Sequence, residues 1–294
     1  MLTKAFRYIG LGYFALAGLT FGQEESIPSQ EATAPEAVDL GLGLNWTTEG
    51  SGRIGSQASI EIPAGYRFVS GADAAKLMEE FGNLPDKYDG LIAVDDLDWF
   101  VIFQFEDSGY VEDSDKDDLD ADALLDALKE SDKPSNDQRK RMGLGVLNTV
   151  GWAVEPNYNA DTNNLEWGLI LEDGEGIQTV NYLTKILGRR GIMHTTLVCD
   201  PEDLNAVLPV YQDLLNGYSY NQGQTYAEYQ DGDKVAEYGL KALIAGGAIY
   251  GAAKLGLIGT IVAFFKKGFK FSIIGVIAVG AWMKRFITGK RAES

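Results

Sequence analysis

The stretch GYVEDSDKDDLDADALLDAL, residues 109–128, sets aspartates at every second position, Asp113, Asp115 and Asp117. Alternating carboxylates begin a calcium loop, which takes ligands at positions 1, 3 and 5, a glycine at 6 and a bidentate glutamate at 12. Counted from Asp113, position 6 is Asp118 and position 12 is Leu124, so the turn residue and the closing carboxylate are both missing. Two readings stay open. The three aspartates, helped by Glu112 or Asp118, hold a calcium ion weakly, or Asp118, Asp120 and Asp122 are the acidic start of a helix, where negative charge meets the positive end of the macrodipole. The helix start asks for less and is preferred, with no cofactor expected.

Other chemistry is sparse. The chain has one histidine and one cysteine. His194 and Cys199 both fall in GIMHTTLVCD, which reads as a strand with His194 on the face of Ile192, Thr196 and Val198, and Cys199 on the other. A satisfied strand histidine and a small buried thiol are the expected roles. Arg189 and Arg190 of GRRG have the chemistry to clamp an anion, but a hairpin turn with exposed charge suits them better. Gly143-x-Gly145 is too short for a nucleotide loop. Paired carboxylates abound only because acid does.

The net charge of −18 is unevenly spread. Residues 23–239 carry 14 basic against 42 acidic side chains, whereas 240–294 carry nine basic residues against Glu293 alone. The acidic body excludes nucleic acid as a partner, because phosphate binding needs the opposite sign. The basic end is drawn to anionic lipid.

Both ends are apolar. Lys4 and Arg7 precede the run Tyr8–Phe21, and Thr20-Phe21-Gly22 places small residues where a signal peptidase reads, so 1–22 is expected to be a secretory signal, with an uncleaved anchor as the alternative. Residues 23–43 have the composition of a flexible linker. Near the other end, 242–265 is long enough to cross a bilayer, about 36 Å as a helix, and is interrupted only by Lys254. A second apolar run, 271–283, is short for a span, so 240–287 is expected to form a hydrophobic helical hairpin followed by a basic tail, 288–294. Export of the body leaves Lys266, Lys267 and Lys270 on the cytoplasmic side, as the positive-inside rule prefers. Lys254 at mid-membrane costs roughly 2.5–3.5 kcal/mol and asks for protein or water around it. Gly247, Gly251 and Lys254 share one helix face, a packing surface for a partner or a second copy; the alternative is a lysine near the interface.

The elements between these ends read as one acidic α+β domain, 44–239, with a mainly antiparallel sheet. QASIEIPAGYRFV alternates like a strand around a Pro-Ala-Gly turn, and Ser70 with Asp73 forms a capping box for a helix closed by Gly82. LDWFVIFQFED has apolar residues on both faces and reads as a central strand. A helix over 121–129 is expected to stop before Pro134, with a basic helix beyond it. EDGEG and GRRG then divide three strands of a meander. Asp200 and Pro201 open a helix ending near Asn216-Gly217. The tyrosines of GYSYNQGQTYAEYQDGDKVAEYG suit either lipid headgroups or packing on the body.

Four ordered segments, GYVEDSDKDDLDADALLDAL, GWAVEPNYNADTNNLEWGLIL, VNYLTKILGRRGIMHTTLV and YAEYQDGDKVAEYGLKALIAG, resemble the bacterial membrane-anchored proteins called domain of unknown function 2167. The resemblance runs from about residue 44 to 286. It implies an exported body with a C-terminal hydrophobic hairpin, and it supplies no activity. Family members tend to have aspartate after the tyrosine of the second segment, where this chain has Asn159. The expected function is therefore a membrane-anchored protein of the bacterial envelope, on the periplasmic side of the inner membrane, acting by protein contact. The alternatives are a transport or channel-like accessory assembled through the C-terminal helices, and a carboxylate- or metal-dependent envelope enzyme.

Overall fold

A computed structural model describes residues 37–245. In chain order they form β1 (Ser51–Ile54), β2 (Ala58–Glu61), β3 (Tyr66–Ser70), α1 (Gly71–Glu80), β4 (Gly90–Val94), β5 (Phe100–Glu106), α2 (Ala121–Arg141), β6 (Leu147–Asn159), β7 (Asn164–Asp173), β8 (Gln178–Leu187), β9 (Ile192–Cys199), α3 (Leu204–Leu215), β10 (Tyr218–Tyr220) and α4 (Leu240–Ala245). Seven strands make one sheet in the order β3-β4-β5-β9-β8-β7-β6, and β1-β2-β10 make a smaller one. Every strand pair in both sheets is antiparallel, so the domain is α+β, as its strand and turn pattern predicts. The expected signal, 1–22, and the hairpin beyond Ala245, with Gly247, Gly251 and Lys254, lie outside the described residues. Among the described residues no helix is long and apolar enough to cross a membrane.

Strand alternation sorts the core onto the two faces of the large sheet. Val101 and Phe103 of β5, Met193 and Leu197 of β9 and Tyr182 of β8 face α3 and the small sheet. Phe100, Ile102 and Val198 turn the other way, onto α1. On that same side Trp167, Leu183 and Ile192 meet α2 and α4. β5 lies between β4 and β9 with both faces covered, which is why its sequence shows no polar alternation. Val38, Leu40 and Leu42, within the segment whose composition reads as linker, pack with Leu44 and Trp46 against the α1 cluster.

Four local expectations are corrected. Pro63 separates two strands that join different sheets, because β2 pairs with β1 and β10 while β3 pairs with β4. Ser70 occupies the cap of α1 but makes no side-chain cap bond; the Asp73 carboxylate instead accepts from the backbone and side chain of Asn45 at 2.8 and 2.9 Å and from Lys76 at 2.8 Å. α3 begins at Leu204 after a tight turn closed by Asp203 N–Asp200 O at 3.1 Å, so Asp203 rather than Asp200 precedes it. Most consequentially, α2 runs unbroken through Pro134. A mid-helix proline costs about 3 kcal/mol, and side chains on both sides of it hold the axis. Thr149 donates to Asp132 through its backbone N–H at 2.7 Å and its hydroxyl at 2.9 Å. Asn136 accepts from Leu147 N at 2.8 Å and donates to Leu147 O at 2.9 Å, and Arg139 donates to Gly145 O at 2.6 Å. Residues 132, 136 and 139 lie on one helix face, so the helix serves as a polar clamp on β6, an edge strand whose free backbone groups invite mispairing.

Candidate functional site

The acidic segment 113–122 contacts the C-terminal part of the described chain. Asp120 caps α2, accepting from Ala123 N at 3.0 Å, and Asp122 sits in that helix's first turn, so this part is the expected acidic helix start. Asp115 does something else. Its two carboxylate oxygens accept from the backbone N–H groups of Leu240 and Lys241 at 3.1 and 3.2 Å, so it caps α4 from more than a hundred residues away. A side chain at Gly239 would press on that carboxylate, with its Cβ at 2.9 Å from an Asp115 oxygen. Asp118 reaches Lys241 at 3.3 Å, Asp113 reaches Lys116 at 3.7 Å, and Asp117 is exposed. Among the described residues no three His, Cys, Asp or Glu side chains are grouped as a metal site would need.

Leading into α4, residues 226–239 form a strap across the α2 face of the sheet. Tyr110 pairs with it through Tyr110 N–Lys234 O and Ala236 N–Tyr110 O, both 2.8 Å. The chain approaches so closely here that a Cβ on Gly109 would lie 2.7 Å from the Lys234 carbonyl oxygen. Tyr226 and Tyr229 stack on Tyr110 with ring centroids 4.4 and 4.2 Å away, which assigns these tyrosines to packing on the body. Arg189 forks onto Asp233 at 2.6 and 3.0 Å, so one GRRG arginine is spent on holding the strap while Arg190 is exposed. α4 completes the seating, burying Leu240, Leu243 and Ile244 against α2 and the sheet. Burial of such side chains is worth about 1.5–3 kcal/mol each. Four residues at the start of the expected span, Ala242–Ala245, thus belong to the core of the body.

Beneath the strap, three polar side chains are joined by hydrogen bonds, and a lysine lies across the strand pair from the third. Tyr238 donates to Glu106 Oε1, and Glu106 Oε2 receives His194 Nε2–H at 2.9 Å. Lys185 lies directly opposite His194 in the β8–β9 register, 3% exposed, with its ammonium 5.3 Å from the Trp167 ring centre. Desolvation pulls the Lys185 pKa down to about 7 against the opposing pull of Glu106. Desolvation, then the Lys185 charge, lowers His194 to about 4, so it is neutral at pH 7 and donates from Nε2. Burial works to raise Glu106, but His194, Tyr238 and Lys185 outweigh it and keep its pKa below the ordinary value. The expected satisfied strand histidine is found. Lys185 and Glu106 were not singled out from sequence, although Lys185 interrupts the inward period-two set Leu183, Lys185, Leu187, which is the signal that marks it. Cys199 is buried, and burial raises its thiol to about 12.

On the opposite side of the sheet a shallow groove of about 310 Å³ runs beside α3, where Glu61, Tyr66, Val210 and Asp213 line it. No Lys, Arg, His, Ser, Thr or Cys accompanies these acids. Asn159 closes the β6–β7 turn, its side-chain oxygen accepting from Asp161 N at 2.9 Å. An aspartate there has the same acceptor, so the departure from the family pattern leaves the turn intact.

Among solved structures, the chain is similar to the solution structure of cyanobacterial PsbP from Synechocystis sp. PCC 6803, with 13% identity over 56% of this chain and 86% of that one and a TM-score of 0.34. No curated protein matches it. The family described as a protein of unknown function, DUF2167, matches residues 47–280, from the start of the sheet domain through the apolar C-terminal stretch, and the chain belongs to that family.

Proposed function

We propose that the protein is a membrane-anchored extracytoplasmic module that works by protein contact, its body tied to a C-terminal membrane segment through α4. The observation that carries this reading is the seating of α4, capped by Asp115 and buried through Leu240, Leu243 and Ile244. A helix fixed in this way gives the following chain a defined point of departure from the body. Residues 246–265 then supply 20 residues, about 30 Å as a helix, the thickness of a hydrocarbon core. The charge pattern supports an outside body, with the acidic domain before this stretch and Lys266, Lys267 and Lys270 after it. Gly247, Gly251 and Lys254 then offer the contact face within the membrane.

Alkaline carbonate extraction and external protease treatment of spheroplasts test the anchoring. The full chain is expected to stay with the membrane and lose its body to protease, while a chain ended after Ala245 is released as a folded body. Complete extraction of the full chain by carbonate would overturn the anchor. Contact through the membrane face is tested by a photo-crosslinking residue at Gly251, read by mass spectrometry. The reading predicts a reproducible protein adduct well above that from a probe at Leu255, and equal yields from the two positions refute it.

A further inference from the structure

The row Tyr238–Glu106–His194–Lys185 spans the interface between strap and sheet, and its two ends are unlike. Tyr238 belongs to the strap and is two residues before α4. Lys185 belongs to the sheet, is 3% exposed and lies opposite His194 across the strand pair, between Leu183 and Leu187 of the cluster against which Tyr226, Ala236 and Tyr238 of the strap pack. A methionine would fill such a place at lower cost, since taking a cation out of water is expensive. The groups facing this row are few. β5 contributes Glu106, β9 contributes His194, β8 contributes Lys185 and the strap contributes Tyr238, whose hydroxyl also meets Ser108, while β7 brings the Trp167 ring to Lys185 and α2 adds Leu124 and Leu128 to the same apolar cluster. The strap's other ionic anchor, Arg189 with Asp233, keeps its charge across the neutral range, since each partner shifts the other away from it.

We propose that this row makes the seating of the strap proton-dependent: proton uptake at Lys185 is accommodated by lifting the strap, which frees α4 from the body. The inference rests on the reading of α4 as the tie between body and membrane segment, and adds a condition under which that tie loosens. Lifting removes Tyr238 from Glu106 and lets water reach Lys185. The exposed lysine holds its proton up to about 10.5, whereas the covered one releases it as pH rises through about 7. Between those values the covered state binds fewer protons than the lifted state. Closure therefore strengthens with rising pH, by up to tenfold per pH unit for one proton, and below about 7 the dependence flattens.

Hydrogen–deuterium exchange of the full chain in detergent micelles, corrected for the intrinsic pH dependence of amide exchange, reads the lifting directly. Protection of the amides of 234–245 is expected to rise by ten- to a hundredfold from pH 7 to pH 9. Lys185→Met is expected to remove that rise and to leave the strap well protected at pH 7. Tyr238→Phe, a milder change, is expected to lower strap protection about tenfold at every pH and to leave the slope in place. Strap protection that is flat between pH 7 and 9 in the unsubstituted chain, or a slope that survives Lys185→Met, overturns the proposal, and so does unchanged protection in Tyr238→Phe. Carbonate extraction of the same preparations reports the membrane tie separately, so a failed anchor and a failed proton response are distinguishable.

Discussion

Replacing Asp115 with asparagine tests whether its carboxylate is occupied by α4. Asparagine keeps the size of the side chain but removes its charge and exchanges one acceptor for a donor facing an N–H group. Loss of one of the two accepted hydrogen bonds costs about 0.5–1.5 kcal/mol, and loss of a negative charge at a helix N-terminus adds about 0.3–1 kcal/mol. Together these give about 1–2 kcal/mol. For a domain of about 200 residues that corresponds to a fall in Tm of roughly 2–8 °C if α4 unfolds with the rest. If α4 leaves separately, the same energy appears as a roughly 5- to 30-fold faster tryptic cut after Lys241, which the seated helix protects. Both are measured on the full chain in detergent, with and without millimolar calcium. An Asp115→Asn chain that melts and is cut like the unsubstituted one refutes the assignment. A calcium-dependent rise in Tm that Asp115→Asn abolishes would instead establish the aspartates as a cation site.

Three further expectations follow from buried polar groups. Asn136→Ala leaves the N–H and C=O of Leu147 without partners at a buried edge; a loss of about 2–4 kcal/mol in urea unfolding is expected, and a loss under 0.5 kcal/mol would show that β6 does not depend on the α2 clamp. The hydrogen bonds from Lys76 and Asn45 hold the Asp73 carboxyl at about 2, so its stabilisation is present above about pH 4 and fades as pH falls towards 2. The urea midpoints of the unsubstituted chain and Asp73→Asn should therefore differ at pH 6 and converge near pH 2, and a gap independent of pH would contradict this. Cys199, buried and with its thiol raised to about 12, should resist a thiol reagent at pH 8 in the folded chain and react at once in denaturant; rapid reaction of the folded form would place it at the surface.

How much of this was legible in the sequence depends on whether the governing contacts are local. The meander β7–β8–β9 was legible because alternation and the turns EDGEG and GRRG are written within a few residues. The two-faced burial of β5 was legible from FVIFQF for the same reason. Pro134 misled because its local cost is real, and the side chains that offset it bond to residues 145, 147 and 149, which a helix pattern does not contain. Ser70 and Asp73 misled similarly, since the capping spacing is present but Asn45, 28 residues earlier, takes the carboxylate.

The acidic segment is the sharper case. Both sequence readings of the segment sought the partner nearby, a cation for Asp113, Asp115 and Asp117 or the helix that follows for Asp118, Asp120 and Asp122. For Asp120 and Asp122 that was sufficient, because the N-terminus of α2 is adjacent. For Asp115 the positive helix end belongs to α4, 125 residues further on. The same electrostatic preference applies in both cases, a carboxylate meeting unpaired N–H groups, and only the fold decides which helix supplies them. Here the aspartate that its own helix does not use meets a second helix start. That start is α4, the last described element, whose final four residues open the apolar stretch.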